Sequence, residues 1–219
     1  MSKTALFASA KAWDAKALRV LLSSSPELAL ARDAKGRNAL HVCAGAPAQA
    51  KPEVGSASID TARVLLKAGV DINGVHEIAD DDEVFSATAL WYALARGRNE
   101  ELARFLLKVG ANPDHCLWTV IWSNEPKLVR LLLKAGSKVN ARAHRETPLI
   151  YAARLGRERI ILDLVRAGAD VAARDAKGLT AAAHARRRKL SKEILHALGE
   201  TAGAVPSSRR SSAAAHGER

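Results

Sequence analysis

The chain has 219 residues, enough to bury a sizeable core, and is 48% hydrophobic but only 4% aromatic. That aromatic share is low for a β-sandwich or barrel and ordinary for helices that pack through alanine and leucine. The formal net charge is +11, no run of 18 apolar residues could cross a membrane, the first residues lack a secretory apolar stretch, and two cysteines make no disulfide framework.

In chain order, Thr4-Ala5-Leu6-Phe7 opens a first helix, and Ala17, Leu18, Leu21 and Leu22 recur on a second that Ser23 to Pro26 stops. Asp33 and Gly36 then mark a tight turn, in which glycine supplies a positive φ, and Asn38 caps the helix that follows. Between Gly45 and Ser56 two prolines and two glycines predict a loop, with the helix resuming near Ile59 and running to Lys67. A long finger fills part of the 21-residue span from Gly69 to Leu90 and carries Asp80, Asp81, Asp82 and Glu83. Those adjacent carboxylates lack the alternation and central glycine of a calcium loop and read as a solvated, partner-facing loop.

Leu117 comes only seven positions after Gly110, too few for a full hairpin, so the long finger before it is expected to lean over the gap. Trp118 and Trp122, half of the four tryptophans, follow. Asp114 is read as a helix cap, because the adjacent Asp114, His115 and Cys116 cannot easily face one metal ion. The finger from Arg142 to Glu146 lacks a turn glycine. Thr147 caps a helix with Pro148 at its first position, Gly156 breaks it, and Ile160, Ile161, Leu164 and Val165 form a second helix that Gly168 ends. Asp175 and Gly178 make another turn, Thr180 opens a helix, and Ser191 to Leu198 form the last helix before Gly199. Residues 200–219, rich in Ser, Ala and Arg, are expected to be a disordered basic tail.

The elements recur. Gly168 lies 19 positions after Leu149, Gly136 19 after Leu117, Gly110 20 after Leu90 and Gly69 29 after Leu40. The segments Val-Leu-Leu-Lys-Ala-Gly69, Phe-Leu-Leu-Lys-Val-Gly110 and Leu-Leu-Leu-Lys-Ala-Gly136 close three of these units. With Thr147-Pro148-Leu149 standing for T-P-L-H, and a degenerate copy at each end, the chain resembles the ankyrin repeat family over about residues 4 to 198. The resemblance implies an all-α, helix-pair solenoid of about six units with irregular fingers. The units lie near 4–32, 33–74, 75–114, 115–141, 142–174 and 175–199, within a domain of residues 1–199. It also gives His41, at the histidine of T-P-L-H, a structural hydrogen-bonding role.

No phosphate-cradling glycine loop, H-E-x-x-H or G-x-S-x-G is present, so a non-enzymatic module without cofactor or metal is expected. The resemblance implies a scaffold that binds another protein through a concave face of fingers and first helices, and with Cys43 and Cys116 read as reduced thiols a cytoplasmic monomer is expected. Carried over by register, its contact residues are Lys35, Arg37, Arg142, His144, Arg145 and Lys177 on the fingers. At the ends of the first helices they are Ala95 and Arg96, Trp122 and Ser123, Arg154 and Leu155, and Arg187 and Arg188. Together these make a basic groove with Trp122 as an aromatic anchor, suited to an acidic segment. The alternative is a nucleic-acid-associated adaptor. Residues 141–219 carry 16 basic and 8 acidic groups, and 13 of the 16 are arginines, including Arg186, Arg187 and Arg188.

Overall fold

A computed structural model of the chain describes residues 2–48, 54–80, 83–114 and 116–199. Its helices come in six pairs. They are α1 (Lys3–Ala12) with α2 (Ala15–Ser24), α3 (Ala39–Gly45) with α4 (Val54–Lys67), and α5 (Ala89–Tyr92) with α6 (Glu100–Lys108). These are followed by α7 (Leu117–Trp122) with α8 (Pro126–Lys134), α9 (Pro148–Leu155) with α10 (Glu158–Arg166), and α11 (Ala181–Arg187) with α12 (Lys192–Ala197). First helices pack on first helices, α1 on α3, α3 on α5, α7 on α9 and α9 on α11, and second helices pack on second, so each unit is buried only by its neighbours. Buried Leu40, Leu65, Leu90, Leu102, Leu132, Leu149 and Ile160 form one continuous core along the stack.

The helix starts follow from side-chain caps. Asn38, Thr88, Thr147 and Thr180 each accept the amide of the residue three positions on, worth about 1 kcal/mol apiece. The stops follow from glycine. Gly69, Gly110, Gly136 and Gly168 have φ between 85° and 98°. In each case the next amide reaches back over the last turn, as Ala169 does to the Leu164 carbonyl at 3.0 Å. Asn73 and Asn140 stitch successive units in the same way: each side chain donates to the next repeat-ending glycine carbonyl and accepts an amide just beyond it.

Several boundaries differ from the sequence reading. Helix α4 begins at Val54, five residues before Ile59, and residues 49–53 of the intervening loop lie outside the described residues. Ser2, not Thr4, caps α1, so Thr4 lies inside the helix. Asp114 does not cap α7. Cys116 holds that position without a side-chain cap bond, and Asp114 instead accepts the Lys138 amide at 3.2 Å and pairs with the Lys138 ammonium at 2.8 Å. The long finger is a two-stranded antiparallel hairpin, β1 (His76–Asp80) and β2 (Glu83–Ala87), with Ile78 opposite Phe85. Asp81, Asp82, His115 and the tail 200–219 lie outside the described residues.

After α5 the chain widens into a π turn, Ala93–Gly97. A close approach ends it. A Cβ on Gly97 would be driven into the Ala44 carbonyl oxygen of the preceding unit, so only glycine lets the two backbones meet.

Candidate functional site

The fingers are tight turns fixed by their own side chains. In finger two the Asp33 carboxylate accepts the amides of Lys35 and Arg37, while Arg32 donates to the Gly36 carbonyl at 2.7 Å and to Val75 of the next finger at 2.9 Å. Finger six repeats this with Asp175 accepting from Lys177 and Leu179, and Arg174 donating to Gly178. Burial alone would raise both aspartate pKa values. For Asp33 the Arg37 side chain and these amides outweigh it, and for Asp175 the His184 ring and its amides do, so both carboxyls sit below their ordinary value.

Finger five is one residue shorter. Arg142 fills the place of Arg32 and Arg174, donating to the Arg145 carbonyl at 3.0 Å and to Arg174 at 2.8 Å. The turn residues His144 and Arg145 then take φ of 48° and 60°, with Ala143 and Glu146 bridged around them. Two adjacent left-handed non-glycine residues cost about 1–2 kcal/mol each, which the flanking bonds must sustain.

Unit four has no comparable finger, and its absence opens a cavity of about 560 Å³. Strand β2 forms one wall through Val84 and Phe85, and finger five forms the other through Arg142 and His144. The floor is aromatic: Trp91 from α5, Trp118 and Trp122 from α7, and Tyr151 from α9. Phe85 and Trp91 lie 5.3 Å apart by ring centroid, and Trp118 and Tyr151 5.9 Å apart. Trp122 is 65% exposed although its carbonyl is fastened by Arg157 at 2.9 Å. Arg154 lies 5.1 Å over the Tyr151 ring and forks onto Glu146 at 2.7 and 3.1 Å.

The eleven residues carried over from the sequence therefore separate. Trp122, Arg142, His144 and Arg154 converge on this cavity. Arg145 joins Arg142 and His144 at a neighbouring hollow beside Asp175. Lys35, Arg37 and Arg96 meet elsewhere, on the other side of the hairpin. Lys177 and Arg187 line neither cavity, and Arg188 donates to the Arg154 carbonyl at 2.8 Å, fastening unit six to unit five. The sequence reading missed Phe85, Trp91, Trp118 and Tyr151 as lining. Their signal was the seven-residue gap, which brings units three and five into one site.

Cys116 is fully buried beneath α7, and burial pushes its thiol up to about 12, so it is inert as a nucleophile in the folded chain. Among the described residues no group of three His, Cys, Asp or Glu side chains could hold a metal ion, and no helix is long and apolar enough to cross a membrane.

The family model described as "Ankyrin repeat" matches residues 86–118 and 144–176. No curated protein matches the chain. Among solved structures, an ankyrin repeat domain from Acinetobacter baumannii AYE is similar, with 28% identity, a TM-score of 0.69, and coverage of 88% of this chain and 95% of that one. A second ankyrin repeat protein, 22% identical with a TM-score of 0.66 over 91% of this chain and 98% of its own, shares the fold. The ankyrin repeat domain of Bcl-3, described as a unique member of the IkappaB protein family, also shares it, at 19% identity and a TM-score of 0.60 over 90% and 98% of the two chains. The stacked helix pairs, the two segments that match the family model and these shared folds support an ankyrin repeat family and show an ankyrin-type helix-pair solenoid.

Proposed function

We propose that this chain is a non-enzymatic module that binds an acidic segment of another protein across its fingers, seating an apolar side chain in the cavity of unit four. Ankyrin repeats are general protein-protein interaction modules and typically non-enzymatic, which supports the coarse reading. The observation that carries the finer one is the truncated fourth finger, which leaves Trp118 and Trp122 accessible between Arg142 and Arg154. Tryptophan and arginine are enriched among interface hot spots, and an exposed tryptophan beside a rigid aromatic floor gains much from being covered. Arg154 is already paired with Glu146, whereas among the described residues the Arg142 guanidinium donates to the carbonyls of Arg145 and Arg174. The rim charges would speed association, and the aromatic floor would slow release. The same reading takes residues 1–199 as the binding domain of a cytoplasmic monomer and residues 200–219 as a basic tail.

The test uses a partner recovered by the full chain from its native cell and identified by mass spectrometry. Trp122→Ala should weaken that complex by about 2 kcal/mol, and Arg154→Glu should slow association and flatten its salt dependence. If both variants bind like the parent, the groove reading fails and the partner uses the outer helices or the hairpin tip. Steeply salt-dependent binding to mixed-sequence DNA or RNA, with no protein partner, would favour the nucleic-acid alternative instead.

A further inference from the structure

The basic side chains of the first three units meet at a second cavity, of about 480 Å³, on the β1 side of the hairpin. Lys11 reaches it from the end of α1, Lys35 and Arg37 from finger two, His76 from β1, Tyr92 from α5 and Arg96 from the π turn. No Asp or Glu among the described residues lines it. Like charges drawn from three units repel one another and would splay into solvent unless something held them.

Here the surroundings hold them. Arg37 forks onto Asp33 at 2.6 and 2.8 Å and is also hydrogen-bonded to the Tyr92 hydroxyl. That hydroxyl lies 2.8 Å from His76 Nδ1, and the His76 ring sits against the Gly36 turn, which carries Lys35 and Arg37 on either side. Arg96 lies 5.9 Å over the Trp91 ring, next to the Gly97 backbone that is wedged against Ala44. Gly45 completes the wall, because a Cβ there would come within 2.8 Å of the Tyr92 ring. Arg37 and Arg96 are thus set by packing and by hydrogen bonds before any ligand arrives, which lowers the ordering cost of binding.

We propose that this cavity binds a phosphomonoester dianion, either a phosphorylated side chain of a partner or a free small phosphate. Such a group carries about −1.5 to −2 charges at pH 7 and three strong acceptor oxygens, and guanidinium forks match its geometry. Asp33 already engages the Arg37 fork, so the charge offered to a ligand comes chiefly from Lys35 and Arg96, and a dianion answers two cations where a single carboxylate answers one. The two cavities have different linings, β1 here and β2 there, and adjoin where Arg96 lies over Trp91 of the aromatic floor; phosphate binding is nevertheless read by its own test, apart from the acidic-segment reading.

The test is calorimetry and amide NMR on the full chain with three probes: inorganic phosphate, a short phosphoserine peptide, and the same peptide with aspartate in place of phosphoserine. The parent should bind inorganic phosphate saturably at millimolar concentration, with shifts at His76, Tyr92 and the finger-two amides. Arg96→Ala and Lys35→Ala should each weaken binding about tenfold, while Arg154→Ala leaves it unchanged. A phosphopeptide bound at least tenfold tighter than inorganic phosphate assigns the group to a protein partner, and equal affinities assign it to a free phosphate. No saturable shift, an aspartate peptide bound as tightly as the phosphopeptide, or an equal loss in Arg154→Ala would overturn the proposal.

Discussion

Lowering the pH from 7.5 to 5 should lower the stability of the folded chain through one side chain, His41. Its ring is fully buried, and both nitrogens are used. Nδ1 accepts the Asn38 amide at 3.1 Å, closing the capping box of α3, so the proton sits on Nε2, which donates to the Ala87 carbonyl at 3.2 Å at the foot of β2. Protonating Nδ1 would place one donor against another. Burial, with the His76 and Arg32 charges in the same sense, pushes His41 from 6.5 down to about 4 against the carbonyls of Ala87 and Gly74, which act the other way. The folded pKa lies below the unfolded one. The His41 contribution is therefore fully present above pH 6.5 and is lost as pH falls towards 4, where the unfolded chain takes up a proton that the folded chain refuses. At pH 5 the loss is about 2 kcal/mol, on the scale of 1.36 kcal/mol per unit. Urea unfolding at the two pH values, beside a His41→Asn variant that keeps an acceptor near Nδ1 but cannot titrate, isolates this share. An NMR titration of the His41 ring gives the pKa directly. A ring that titrates near 6.5, or equal losses in parent and variant, would refute the reasoning.

Two further outcomes test the packing. Gly97→Ala should cost about 3 kcal/mol in chemical denaturation, because its Cβ meets the Ala44 carbonyl with backbone on both sides; a loss below about half a kcal/mol would show that the π turn can move away freely. Leu132→Ala, which empties a fully buried position on α8, should cost roughly 2–5 kcal/mol in the same assay, and a near-neutral result would mean that the second-helix row repacks around it.

The sequence by itself determined the repeat. Caps at Asn38, Thr147 and Thr180 and stops at Gly69, Gly110, Gly136 and Gly168 are local devices: each needs only a side-chain oxygen three residues from an amide, or a missing Cβ, so spacing alone locates them. The shortened fourth finger was likewise visible as a count of seven residues. What that gap exposes was decided by tertiary structure, because Phe85, Trp91, Trp118 and Tyr151 come from three units and meet only when those units stack. The same holds for the roles of the arginines. Arg142 and Arg188 read alike as basic contact residues, yet one closes a finger turn and the other holds the Arg154 carbonyl of the preceding unit. Asp114 looked like a cap because caps are local, and it instead answers an amide and an ammonium 24 residues away. A backbone device is written within a few residues of itself, whereas the partner of a charged side chain is chosen by whichever element the stack brings beside it.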